Sequence, residues 1–132
     1  MAGTDLATHP IHLGLGATAE IEPAFTGDLA WYEAYIGRHA ADGAEGRLVA
    51  IHTFQTSWDM WEMHPKGAEV VLCLAGAITL LQERADGGAE RILLGPGEYA
   101  INPPGVWHTA DVAGPATALF VTAGLGTEHR PR

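Results

Sequence analysis

The pattern of apolar and polar positions changes character once along the chain. Before residue 47 its one extended regularity is helical: Leu29, Tyr32, Ile36 and His39 recur at spacings of 3, 4 and 3. That stripe predicts a helix over residues 28–41. Thr26 or Asp28 is placed to cap its start, where an acid suits the helix dipole, and Asp42-Gly43 to end it. The stripe suits a helix packed on the outside of a sheet, whereas Trp31 and Tyr35 suit an aromatic lid over a pocket. Residues 1–10 read as a loose arm, and residues 11–16 as a short apolar strand.

From Arg47 onward the pattern is that of strands. Runs rich in β-branched and aromatic residues cover 47–54, 58–64, 69–74, 77–83, 91–94, 99–102, 106–111 and 117–122. Ala75-Gly76, Asp86-Gly87-Gly88 and Gly95-Pro96-Gly97 punctuate them, the second being a strong hairpin signal. Short strands separated at roughly ten-residue intervals predict an all-β sandwich or barrel. Val70 to Leu74 is apolar on both faces, as in a strand buried on both sides. One face covers the interior, and the other must meet a second sheet or a second subunit, so a homodimer is expected. The tail from Gly124 to Arg132 is polar and reads as irregular. The chain therefore divides into an arm and helix (1–46), a β-barrel (47–123) and a tail (124–132), all one domain.

Composition narrows the partners. The 132 residues are 47% hydrophobic and 17% charged, enough apolar material for a packed core without staples. A net charge of -9 leaves no basic stripe for nucleic acid. The single cysteine, Cys73, excludes an internal disulfide. No apolar run approaches the ~20 residues that span a bilayer, and no signal peptide is visible, so a cytoplasmic protein is expected. G-x-S-x-G, phosphate-cradling and C-x-x-C motifs are all missing.

The chemistry sits in two stretches. In the first, Glu62 and His64 fall two residues apart, on one face of a strand. Glu69 has the opposite parity, but Pro65-Lys66-Gly67 predicts a turn that resets it. The second stretch supplies His108. Two carboxylates and two imidazoles suit one divalent ion, iron, manganese, zinc or nickel, rather than copper(I). Each glutamate has other uses: a salt bridge to Arg47, Arg84 or Arg91, or, for one of them, a general base held off the ion. Strand parity puts Trp58 and Met60 beside Glu62 and His64, Val71 and Cys73 beside Glu69, and Val106 and Ala110 beside His108. This wall is apolar and carries no Arg or Lys cluster, which favours a small, weakly charged substrate. Tyr99 is a candidate proton donor or a packed tyrosine. Cys73 is a candidate soft ligand or an inert core residue. His52 is the one further histidine that a strand near the barrel mouth would bring close.

The two stretches resemble the signature motifs of the cupin superfamily. The first of these runs roughly G-x5-H-x-H-x4-E-x6-G, and Glu62, His64, Glu69 and Gly76 follow its spacing, with glutamate in place of the first histidine. The second runs roughly G-x5-P-x-G-x2-H-x3-N; Gly97, Pro103, Gly105 and His108 follow it, with Val112 in place of the final asparagine. The resemblance covers residues 47–123. It implies a double-stranded β-helix or jelly-roll barrel, and a metal site at Glu62, His64, Glu69 and His108. It also implies that the N-terminal segment joins a partner subunit's sheet. Two functions are consistent with it: a metal-dependent enzyme of oxygenase or lyase/isomerase type, with Glu62 and Tyr99 as catalytic candidates, or a non-catalytic module that holds a small ligand or a metal. A structural dimer with a relic site is a third.

Overall fold

The computed structural model describes residues 1–132 as two antiparallel sheets enclosing one apolar core. The strands are β1 (Ile11–Gly14), β2 (Thr18–Ile21), β3 (Arg47–Phe54), β4 (Met60–Met63), β5 (Glu69–Ala75) and β6 (Ile78–Glu83). They continue as β7 (Ala89–Leu94), β8 (Tyr99–Asn102), β9 (His108–Asp111), β10 (Ala116–Thr122) and β11 (Glu128–Pro131). One sheet has the order β2-β1-β3-β10-β5-β8 and the other β11-β4-β9-β6-β7. Chain neighbours often lie in opposite sheets, as in a jelly roll.

Alternation along the strands builds the interior. In β5, Val71 and Cys73 are buried while Val70 and Leu72 face outward and are only half-buried. At this end of β8 and β10 the inward positions are small, with Ala100, Ala116 and Ala118 buried there, so the larger Ile78, Leu80 and Leu94 of the facing sheet can reach across. Leu80 and Ala118 are fully buried, as close packing at this end of the barrel requires.

Two strands escape the sequence pattern. β2 is exposed at every position, so it shows no alternation; it exists because it pairs with β1 from Ile11↔Ile21 to Gly14↔Thr18. β11 corrects the expectation of an irregular tail. Its polar residues pair with β4, with His129 opposite Glu62 and Arg130 opposite Trp61. The arm is not loose either. The Thr8 carbonyl accepts from Phe25 N–H and the Pro10 carbonyl from Glu22 N–H, both at 2.8 Å. β1 pairs with β3 of its own chain. His12, buried on β1, bonds Tyr35 Oη and Asp42 Oδ2, each at 2.6 Å, and so ties the arm to the segment after it.

The helix α1 (Leu29–Arg38) begins where Asp28 Oδ1 accepts from Trp31 N–H at 2.9 Å. A 3-10 turn over Ala40–Glu45 follows it. α1 does not simply lie on the outside of a sheet: Leu29, Tyr32, Tyr35 and Ile36 line the main cavity. Of the two aromatics expected over a pocket, Tyr35 lines the cavity, beside Tyr32. Trp31 turns inward instead, and its Nε1–H reaches the Pro23 carbonyl at 3.3 Å.

Gly76 joins β5 to β6 at φ +73°, and a Cβ there would run into the Pro115 carbonyl oxygen and Ala116. Both the backbone angle and the contact exclude a side chain. Gly76→Ala is therefore expected to destabilise the fold by about 2–4 kcal/mol, measured by urea unfolding. Gly87→Ala, at φ +85° but with nothing within 4 Å of its Cβ, is expected to cost only about 1 kcal/mol.

Candidate metal centre

The turn after β4 carries the chain from one sheet to the other. It places His64 just beyond β4 and Glu69 at the start of β5, while His108 opens β9. The Gly105 N–H donates to the His64 carbonyl at 2.9 Å, which fastens the loop before His108 to the loop after β4. Gly105 sits at φ +75°, so this loop also needs a residue without a Cβ.

His64, Glu69 and His108 come together inside the barrel, at 4%, 4% and 0% exposure. Their ligand atoms lie within 4.8 Å of one another. Glu69 Oε2 is 3.2 Å from His64 Nε2, and Oε1 is 3.2 Å from His108 Nε2. Neither Nε2 makes a hydrogen bond, although both are buried. The short distances bring charge together without aligned donor geometry.

The opposite ring atoms explain why. His108 Nδ1 faces the Val106 carbonyl at 3.2 Å; a carbonyl only accepts, so Nδ1 carries the hydrogen. Thr127 Oγ1 gives its hydrogen to the Gly124 carbonyl at 2.8 Å, and so accepts from His64 Nδ1–H, also at 2.8 Å. In the neutral tautomers both Nε2 lone pairs then face one carboxylate. That arrangement is repulsive unless a proton or a metal ion sits among the three groups. The donor set of two imidazole nitrogens and one carboxylate oxygen fits a divalent first-row metal.

Glu69 is prepared in the same way. Asn102 Nδ2–H donates to Oε1 at 3.0 Å and Thr122 Oγ1–H to Oε2 at 2.6 Å. Gln82 fixes the amide orientation by donating to Asn102 Oδ1 at 2.9 Å. Burial pushes the Glu69 pKa up, but its close contacts with His108 and His64 outweigh this and hold the carboxyl well below the usual range. Burial likewise opposes charge on His64, and the Glu69 carboxylate overcomes it, raising that imidazole's pKa.

Glu62 stands apart. It is the register partner of His108 and lines the same cavity as His64 and Glu69, but its Oε1 lies 3.4 Å from His129 Nε2 and outside the three-residue cluster. No arginine pairs with Glu62 or Glu69. Tyr99 corrects the expectation of a proton donor at the site: it is 64% exposed on the outer face of β8, because its parity is opposite to that of Asn102. Trp58 and Met60 line the cavity as expected. Val71, Cys73 and Ala110 do not. They share the predicted inward face but lie further along their strands, in the packed end of the barrel. Val106 contributes its carbonyl, not a wall. Burial raises the Cys73 thiol pKa, which suits an inert core residue. His52 does reach the cavity, and burial lowers its pKa despite the Glu69 charge.

Sequence reasoning missed Asn102, Thr122, Thr127 and His129. Asn102 lies within the second motif's span, but nothing in its local pattern distinguishes it from a turn asparagine before Pro103-Pro104. Thr127 and His129 come from the tail, whose role follows only from the β4–β11 pairing.

Among solved structures, oxalate oxidase in complex with the substrate analogue glycolate shares the fold at a TM-score of 0.58 and 14% identity, covering 70% of this chain and 50% of that one. Oxalate decarboxylase does so at 0.56 and 16%, covering 73% and 26%. Hydroxypropylphosphonic acid epoxidase from S. wedmorenis does so at 0.50 and 17%, covering 58% and 43%. The chain thus spans half the length of these proteins or less. No protein-family model and no curated protein matches its sequence. A two-sheet barrel encloses a His/Glu/His cluster that could hold a metal ion. The fold is the double-sheet jelly-roll barrel of these structures. No helix is long and apolar enough to cross a membrane.

If the cluster holds a metal, Glu69→Gln removes the only anionic member while keeping its shape. It is expected to weaken zinc or manganese binding by about 100-fold, read by isothermal titration. Thr127→Val, which unfixes the His64 tautomer, is expected to cost about tenfold.

Proposed function

We propose that the chain is a metal-dependent enzyme that holds one divalent ion on His64 Nε2, His108 Nε2 and a Glu69 oxygen, and acts on a small molecule in the adjoining cavity. The observation that carries this reading is the pair of buried imidazole nitrogens, free of hydrogen bonds and turned towards one carboxylate. Two histidines and one carboxylate with further positions open are the set found in iron(II) oxygenases, so the first reading is an oxygenase-type reaction. Iron(II) on such a set supplies dioxygen activation, whereas zinc, manganese or nickel supplies Lewis acidity.

The protein's own groups supply the rest. Val106, Thr127, Asn102 and Thr122 hold the ligand atoms in orientation. Tyr32, Tyr35 and Ile36 of α1 cover the cavity and limit water. Glu62 faces the cavity beside His129 and outside the cluster, which supports a role as a base that takes a proton from bound substrate. That position favours a second reading, a lyase or isomerase step on the same centre. Metal analysis of the protein from its native host, followed by turnover with and without oxygen, separates the two. Glu62→Gln is expected to retain the metal and to lose at least tenfold in turnover of any substrate the loaded protein processes. Loss of the metal in that variant would make Glu62 a ligand instead.

A homodimer is part of the proposal. Ile21, Ile11, Val49, Val121, Val70 and Ile101 form one register row across the outer face of the six-stranded sheet. Ile51, Leu119, Leu72 and Tyr99 form the next. Ile101 is 52% exposed and Tyr99 64%, in a face whose two central rows carry no charge. A second copy would cover it through the same patch. Light scattering is expected to give a dimer at micromolar concentration and a folded monomer for Ile101→Arg; a wild-type monomer would refute this part.

A further inference from the structure

The charge and shape of the cavity favour one class of molecule. Its volume is about 920 Å³, near the upper end for small-molecule sites, and far more than a two-carbon acid would fill. None of the chain's seven Lys and Arg side chains lines it. Four of the seven are held by carboxylates elsewhere: Arg38 by Glu22, Arg84 by Asp86, Arg130 by Glu83 and Arg132 by Asp111. The acids that do line the cavity are Asp59, Glu62 and Glu69. Glu69 faces His64 and His108, which leaves Asp59, and Glu62 beside His129 at 3.4 Å, as the carboxylates that face a ligand. Around them stand the aromatic faces of Tyr32, Phe54 and Trp58. Burial first, and then the Glu62 charge, raise the Tyr32 pKa, so that phenol stays neutral. A carboxylate or phosphate entering this space meets like charge and no guanidinium or ammonium, the only basic groups being the imidazoles of His52, His64 and His129. A protonated amine meets a carboxylate and aromatic faces, both of which attract cations.

We propose that the cavity binds an amine with an aromatic or branched apolar body, its ammonium on Glu62 and its body against Tyr32, Phe54 and Trp58, and that it discriminates against carboxylic and phosphonic acids. This rests on the cavity being the substrate site of the metal centre proposed above, but the charge preference comes from Glu62 and the walls and does not need the ion.

Tyramine and 3-(4-hydroxyphenyl)propionate test this directly, since they share a phenol and a two-carbon spacer and differ in the charge of the end group. Isothermal titration of both, and of oxalate, is run at pH 8 on the EDTA-treated full chain and on the zinc-loaded chain. Tyramine is expected to bind at least about tenfold more tightly than the propionate in both forms, the scale of one charge-assisted hydrogen bond. Glu62→Gln, shown to be folded by its thermal transition, is expected to abolish that difference. Equal or tighter binding of the propionate or of oxalate to the metal-free chain, no binding of tyramine, or a preference unchanged in Glu62→Gln would overturn the proposal. Failure to take up zinc would refute the metal centre alone, because the amine preference is read independently on the metal-free chain.

Discussion

Burying the Glu69 carboxylate is the constraint on which the rest of the site depends. A carboxylate at 4% exposure is costly by several kcal/mol unless every oxygen is engaged. Here Asn102 and Thr122 donate to its two oxygens, and two imidazoles face it without a hydrogen bond. Asn102 is on β8, Thr122 on β10, His108 on β9 and His64 after β4. Gathering these groups around one side chain therefore ties the two sheets together at this end of the barrel. The same requirement turns the two imidazoles inward, and the carbonyl of Val106 and the hydroxyl of Thr127 decide which of their nitrogens carries hydrogen.

The two ends of the barrel differ because their side chains differ in size. Towards the β5–β6 turn, alanines on one sheet let Ile78, Leu80 and Leu94 fill the space from the other, and no room remains. Towards Glu69 the inward side chains are larger and polar or aromatic, the sheets are not bridged by aliphatic packing, and a cavity of about 920 Å³ opens. α1 closes over it, held through Tyr35, His12 and Asp42 to β1 and the 3-10 turn. His12 and His39 stack at 3.6 Å with their planes 15° apart, and His39 in turn meets Glu22 at 2.9 Å. Parallel rings direct their lone pairs side by side rather than at a common point, so this second group of histidines and acids reads as a clamp for the lid.

Much of the barrel was legible from alternation, because a strand with one wet face and one dry face writes a period of two into the sequence. β3 spans the residues expected of it, and β5 and β8 agree to within one residue. β2 and β11 were not legible: exposed edge strands have no dry face, and only their pairing partners make them strands. Parity also named the correct inward face for Val71, Cys73 and Ala110. It could not say how far along the barrel the cavity extends, since that depends on what the opposite sheet brings.

The sequence by itself grouped Glu62, His64, Glu69 and His108, through the spacing of two motifs around turns at Pro65-Gly67 and Gly105. It also determined that these acids and imidazoles sit among apolar strands with no cluster of lysine or arginine, Lys66 alone falling between them in the turn. Only the tertiary structure decided that Glu62 stands outside the cluster, because β11 brings His129 to it from 67 positions away. Only the tertiary structure supplied Asn102, Thr122 and Thr127 as the supports of the ligand atoms. The reason is the same in each case: a hydrogen bond within a strand or turn is encoded by neighbours in sequence, whereas one across sheets depends on how the whole barrel closes.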